Sequence, residues 1–129
     1  TLKANATKGD KKMNNVIVLF EVTIKKGKTD DYLKTASLLK DSLKNAKGFI
    51  KSERFSSLNN EGKLLSMSIW EDEESVKNWR NLEAHRTAQK HGIMNDFVDY
   101  KITVLSPIRT YTMDDISEAP TDSNKYFEV

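Results

Sequence analysis

Val16-Ile17-Val18-Leu19-Phe20-Glu21-Val22-Thr23-Ile24 begins as an unbroken apolar run and then alternates, with Val22 and Ile24 opposed to Glu21 and Thr23. Alternation is the period of a strand, so the stretch reads as β-structure. Its first half is apolar on both faces, which a half-exposed sheet does not need. Each side of this strand therefore requires a cover, and the rest of the chain has to supply it.

Gly27 ends the strand, Thr29 or Asp30 can cap, and Tyr32, Ala36, Leu39 and Leu43 then recur at spacings of four, three and four, the period of one helix face running to about Asn45. Lys44, Lys47 and Gly48 give that helix a basic end and a stop. Phe49 to Ser57 reads as a second strand, and Leu58 to Gly62 as the loop of a hairpin. Leu64 to Trp70 forms the third strand, with Leu65, Met67 and Ile69 on one face and Ser66, Ser68 and Trp70 on the other. After the acidic break Glu71 to Glu74, Glu73 and Glu74 suit a helix start, and Val76 and Trp79 share a face. Asn81 can cap a second helical piece to about Lys90, and Gly92 ends it. Val98 to Val104 alternates as a fourth strand; Pro107 bends it or places it at an edge, and Ile108 to Tyr111 can continue it. The order β, α, β, β, α, β is the α+β ferredoxin-like pattern: four antiparallel strands in one sheet, with both helices on one face. The helices cover one side of Val16–Phe20. A second copy of the chain laid on the other side is the economical cover, which predicts a homodimer closing a barrel between two protomers.

The 129 residues suit one domain. Residues 14–112 are the expected domain. Residues 1–13, polar and aperiodic, read as a disordered N-terminal tail or an expression artefact, with Met13 as a natural start. Residues 113–129 read as an acidic, mostly extended C-terminal tail, with Tyr126, Phe127 and Val129 able to dock. With 37% hydrophobic and 31% charged residues, and no apolar run near the roughly 18 residues of a membrane helix, no membrane span is expected. The opening has no apolar core of a signal peptide. The absence of cysteine excludes disulfides, thiolate zinc sites and a cysteine nucleophile, and fits a cytoplasmic location. The lysines near the start lie on a polar tail without a basic helix or aromatic platform, so no nucleic-acid partner is expected. No glycine-rich phosphate loop, dinucleotide fingerprint or Gly-x-Ser-x-Gly elbow is present. Consecutive acids at Glu71–Glu74 point in different directions around a helix start, so they are dipole partners and no metal is assigned.

Leu65 to Gly92 holds both tryptophans and both histidines. Trp70 and Trp79 read as packing residues that would also wall a pocket between helices and sheet. His85 and His91 lie among Arg86 and Lys90, where solvated cations are the ordinary reading. His85 is nevertheless the better candidate for moving a proton near neutral pH. It shares a helix face with Gln89, whereas His91 points elsewhere.

Ser68-Ile69-Trp70-Glu71-Asp72-Glu73-Glu74-Ser75, Asn78-Trp79-Arg80, Glu83-Ala84-His85-Arg86-Thr87-Ala88-Gln89, Gly92 and the closing strand with Tyr100 resemble the antibiotic-biosynthesis monooxygenase family, over about Asn15 to Tyr111. The resemblance implies a dimeric α+β barrel and, in several branches, oxygenation of aromatic polyketides or quinols without metal or flavin. For the haem-degrading branch, Trp79 matches, but Gln89 stands where that branch has its haem-ligating histidine and Phe20 where it has an asparagine. Weak or no haem binding is therefore expected. The function so implied is a small cofactor-independent monooxygenase of an aromatic phenol or quinol. His85 would be its catalytic proton shuttle, and Trp70, Trp79, Arg80, Arg86 and Gln89 would contact substrate. The competing expectation is a non-catalytic dimer that binds a small hydrophobic or haem-like ligand.

Overall fold

The computed structural model describes residues 15–126; the N-terminal tail expected over residues 1–13, and Phe127 and Val129, lie outside the described residues. The elements are β1 (Val16–Ile24), α1 (Thr29–Leu38), α2 (Lys40–Lys44), β2 (Phe49–Ser56), β3 (Lys63–Trp70), α3 (Glu73–Arg80), α4 (Glu83–His91), a π-helical turn (Gly92–Asp96), β4 (Phe97–Leu105) and α5 (Thr121–Tyr126). The four strands form one antiparallel sheet in the order β2-β3-β1-β4, with the doubly apolar β1 at its centre. This is the expected α+β ferredoxin-like arrangement.

The register assigns each β1 side chain to a face. Val16, Val18, Phe20, Val22 and Ile24 point to the helices and form two clusters. In the first, Val16, Trp70 and Val76 are buried, with Val18, Leu43, Ala46, Phe49 and Trp79 packed against them. In the second, Val22, Ile24 and Tyr32 are buried against Phe20, Leu64 and Phe97. The opposite face carries Ile17 and Leu19, paired with Ile69 and Met67 on β3, and Leu105 opposite Ile17 on β4. Leu65 lies across from Glu21, whose carboxylate meets Lys63 at 3.6 Å and Lys101 at 3.5 Å. These are partly exposed pairs of small net value. The open face is thus apolar at one end and ionic at the other.

Several local expectations are corrected. The single helix expected to Asn45 breaks at Leu39 into α1 and α2, although Tyr32, Ala36, Leu39 and Leu43 still look inward together. Neither Thr29 nor Asp30 caps α1: the cap position is Lys28, with no side-chain hydrogen bond. Asp72, read from the sequence only as one of the acids around a helix start, is the N-cap of α3. Its Oδ1 accepts from the Ser75 backbone N–H at 2.8 Å and from the Ser75 hydroxyl at 2.7 Å. Asn81 does not cap α4, since Leu82 holds that position and Asn81 Oδ1 accepts from Arg86 Nη2 at 2.8 Å. Ile108 to Tyr111 do not extend β4, and the C-terminal segment, expected to be mostly extended, contains one short helix, α5, after a non-helical stretch over residues 113–120. No helix among the described residues is long and apolar enough to cross a membrane.

Two glycines have packing reasons. Gly48 has φ +81°, and a Cβ there would run into the Ser75 side chain, so the turn before β2 needs both its handedness and its lack of bulk. Gly92 ends α4 as expected, at its C-cap position, but not by a left-handed turn. Its φ of −60° is helical, and the chain passes through it into the π turn. A Cβ at Gly92 would meet the Phe97 ring, so glycine is required because an aromatic side chain occupies that space.

Candidate active site

Between α1, α3 and α4 on one side and the sheet on the other lies a cavity of about 270 Å³, bounded by residues of both core clusters. That size is just below the usual range for small-molecule sites, roughly 300–1,000 Å³. All six residues expected from the sequence border it: Trp70, Trp79, Arg80, His85, Arg86 and Gln89. The sheet supplies Val18, Phe20, Ser52, Arg54, Ser66, Ser68 and Ile102. The serines of β3 face inward with Trp70, as the alternation of that strand requires.

At one end four rings stand in sequence. Phe49 meets Trp70 edge-on with centroids 5.4 Å apart, Trp70 meets Trp79 at 6.0 Å, and Trp79 meets His85 edge-on at 5.4 Å. Trp70 is 1% exposed and its indole N–H donates to Ser68 Oγ at 2.9 Å, so the ring is packed and its polar atom satisfied. Trp70 is thus a core residue and a cavity wall together. His85 Nδ1 is sealed from solvent and has no hydrogen-bond partner. Burial lowers the His85 pKa below its ordinary 6.5, the backbone carbonyl of Arg80 opposes that shift, and the Arg86 charge adds to it. The imidazole is therefore neutral at neutral pH, the form that can accept a proton.

At the other end Tyr32 meets Phe97 at 5.7 Å, and the Arg54 guanidinium lies 5.7 Å from the centre of the Tyr32 ring. Burial raises the Tyr32 pKa, against the pull of Arg54. Here the π turn brings Asp96 to the cavity wall with 0% of its surface exposed. Beside it, His91 Nε2 is 2.9 Å from Asp31 Oδ2 and 3.6 Å from Asp96 Oδ2. Asp31, Asp96, Tyr32 and Arg54 were not among the expected site residues. The strand period alone would set Arg54 on the face opposite Phe49, five residues away; the irregularity between Phe49 and Lys51 brings both to the helix side. Asp96 has no local signal either, because its inward position depends on a π turn that has no sequence signature.

Arg54, Arg80 and Arg86 border the cavity, and none forms an ion pair with a carboxylate among the described residues. Guanidinium groups without an internal counter-charge beside an apolar cavity are suited to bind an anion.

The sheet order, the helices on one face and a cavity between the layers define a ferredoxin-like α+β protein. The family description antibiotic biosynthesis monooxygenase matches residues 15–91, and the chain belongs to that family. Over 87 residues it is 38% identical to "Jasmonate monooxygenase ABM" of Pyricularia oryzae; the match takes in 67% of this chain but only 40% of that relative. Among solved structures it is similar to a conserved protein from Methanosarcina mazei (TM-score 0.68, 15% identity, 75% of this chain and 96% of the other). A cofactor-independent oxygenase from Streptomyces nogalater is also similar (TM-score 0.67, 7% identity, 75% and 96%). At such identities the two structures show a shared fold.

Proposed function

We propose that this chain is a cofactor-independent monooxygenase acting on a small, anionic, aromatic phenol or quinol. The observation that carries this reading is the neutral, desolvated His85 beside Trp79, in a cavity also bordered by guanidinium groups that have no carboxylate partner among the described residues. His85 takes the phenolic proton, and Arg80 and Arg86, with Arg54, stabilise the anion. The electron-rich anion reduces dioxygen and forms a carbon–oxygen bond, and the resulting peroxide takes back the proton held by His85 to give a hydroperoxide. Loss of the ring hydrogen with hydroxide then leaves a carbonyl, so one oxygen atom enters the substrate and the other leaves as water. Trp70 and Trp79 wall the ring, and Gln89 offers an amide for its polar substituents.

The relative from Pyricularia oryzae supports oxygenation of an anion, since jasmonate is itself a carboxylate, and it supplies a second, non-aromatic substrate class to test. Oxygen uptake is measured with anthrones, quinols, flavonols and jasmonate, comparing wild type with His85→Ala. General-base catalysis contributes about 10² to 10⁴-fold, so the variant should lose that much turnover with binding nearly intact. Unchanged turnover removes His85 from the role. No oxygen uptake with any substrate favours the non-catalytic binding module, and a Soret band at one haem per chain, lost in His85→Ala, favours its haem-binding form.

The homodimer belongs to the same proposal. Ile17, Leu19, Met67, Ile69 and Leu105 share the sheet face opposite the helices, and a second protomer would cover them. Light scattering at micromolar concentration should give twice the chain mass, and a monomer removes the barrel.

A further inference from the structure

The sheet floor of the cavity is divided along its middle. The strand pairings lay its side chains out in rows: Arg54 on β2 is opposite Ser66 on β3, Ser66 is opposite Phe20 on β1, and Phe20 is opposite Ile102 on β4. All four border the cavity. In the next row Ser52, Ser68 and Val18 stand side by side and border it too. The half of the floor on β2 and β3 is therefore a guanidinium with serine hydroxyls, and the half on β1 and β4 is hydrocarbon. Ser66 and Ser68 stand on the inner face of a strand paired on both sides, where large apolar residues are ordinary. Among the described residues neither Ser52 nor Ser66 makes a side-chain hydrogen bond, and Ser68 only accepts one, from the Trp70 indole, so the hydroxyl hydrogens are available to a ligand.

The three guanidinium groups at the cavity are not equivalent. Arg80 and Arg86 belong to the His85 end, since the Arg80 carbonyl and the Arg86 charge both act on that imidazole. Arg54 acts instead on Tyr32, its guanidinium carbon lying 5.7 Å from the centre of the ring. Its row is set away from the tryptophans: Ser66 precedes Trp70 on β3 by four residues, about 13 Å of strand. Burial keeps the Tyr32 phenol protonated, so the Arg54 charge is not neutralised by it, and no carboxylate among the described residues pairs with it.

We infer that Arg54 and Ser66 form the seat for a carboxylate that the substrate carries at the end opposite its reacting hydroxyl. This rests on the oxygenase reading and divides the negative charge within it: the carboxylate, ionised before binding, lies on Arg54, and the phenolate formed at His85 lies by Arg80 and Arg86. A guanidinium presents two parallel N–H donors to the two oxygens of a carboxylate, and Ser66, its cross-strand neighbour at roughly 5 Å between Cβ atoms, donates a third hydrogen bond. The ring of the substrate lies between the two ends, its polar edge on the β3 serines and its hydrocarbon edge over Val18, Phe20 and Ile102. Ser52 and Arg54 are exposed on the outer strand of the sheet, so the carboxylate stays near solvent, where loss of its hydration costs least. A hydroxyl beside the carboxylate on one ring cannot reach His85 and Arg54 at once. The substrate class is therefore a hydroxyarene carboxylate with the two groups at opposite ends.

The test reads binding by calorimetry, without turnover and under nitrogen. The probes are 6-hydroxy-2-naphthoate, with hydroxyl and carboxylate at opposite ends, 3-hydroxy-2-naphthoate, with the two side by side, and 2-naphthol, which has no carboxylate. The first should bind about tenfold or more tighter than the other two. Arg54→Gln should abolish that advantage and leave 2-naphthol binding unchanged, and Arg54→Lys should keep part of it, since the charge remains and the fork is lost. Ser66→Ala should reduce it about threefold, the loss of one hydrogen bond. Equal affinities for the three probes in wild type, or an advantage that survives Arg54→Gln, overturns the seat. A loss of 2-naphthol binding in Arg54→Gln as large as that of 6-hydroxy-2-naphthoate makes Arg54 structural and also overturns it. Tighter binding of 6-hydroxynaphthalene-2-sulfonate than of the carboxylate replaces the carboxylate with a tetrahedral oxyanion. The affinities do not depend on oxygen consumption, so the seat and the oxygenase reading fail separately, the one by calorimetry and the other by oxygen uptake.

Discussion

The two ends of the cavity are built differently. The tryptophan end is a stack of rings on continuous regular elements: Phe49 on β2, Trp70 on β3, Trp79 on α3 and His85 on α4. The aspartate end is assembled from the first turn of α1, the last residue of α4 and a π turn, and it holds ionisable groups that face each other. Apolar rings at one end are stabilised by burial and tolerate little truncation. At the other end burial opposes charge, so stability and proton chemistry are in tension.

That contrast can be tested by substitution, beginning with the largest effect. Trp70→Ala empties a fully buried ring site and should cost about 3–5 kcal/mol in denaturant unfolding. A cost below about 1 kcal/mol would show that the tryptophan end is not core. Gly92→Ala places a methyl against the Phe97 ring at the other end and should cost about 1–3 kcal/mol by overpacking, because the helical φ itself would accept alanine. If it instead stabilises the protein, the π turn is free to shift and the aspartate end is softer than described. Asp72→Ala removes the cap that starts α3 beneath Trp79, for about 1 kcal/mol, read as a lower urea midpoint at unchanged slope. The smallest effect is on pH dependence. Since His85 has a folded pKa below 6.5, the unfolded chain binds the proton more readily. The stability tied to neutral His85 is present above pH 6.5 and is lost as pH falls from there through the folded value. Melting temperature should therefore fall on mild acidification, and His85→Gln should flatten that fall; an identical pH profile in the variant would place His85 in contact with solvent.

The tryptophan end was legible in the sequence because its residues lie on periodic elements. The four, three, four spacing of Tyr32, Ala36, Leu39 and Leu43 survives even though the helix breaks at Leu39, since a break that keeps the same face inward leaves the pattern intact. The alternation of β3 likewise aligned Ser66, Ser68 and Trp70 on one face. Caps were less legible. Thr29, Asp30 and Asn81 each have suitable side chains, yet Lys28 and Leu82 occupy the cap positions, because the approach of the preceding chain decides which residue leaves the helical backbone.

By itself, then, the sequence determined the order of elements, the two-sided apolar character of β1 and the face of each helix that looks inward, because hydrophobic periods are local and repeat along the chain. Tertiary structure alone decided that the chain leaves α4 at Gly92 through a π turn, and that glycine is needed there because the Phe97 ring fills the space a side chain would take. It alone decided that Arg54 reaches the Tyr32 ring and that His91, unremarkable on a basic helix, meets two aspartates. Asp31 and His91 are 60 positions apart in the chain. Their contact exists only after the sheet has brought α1 and α4 together over β1, and no local pattern records a distance that the fold itself creates.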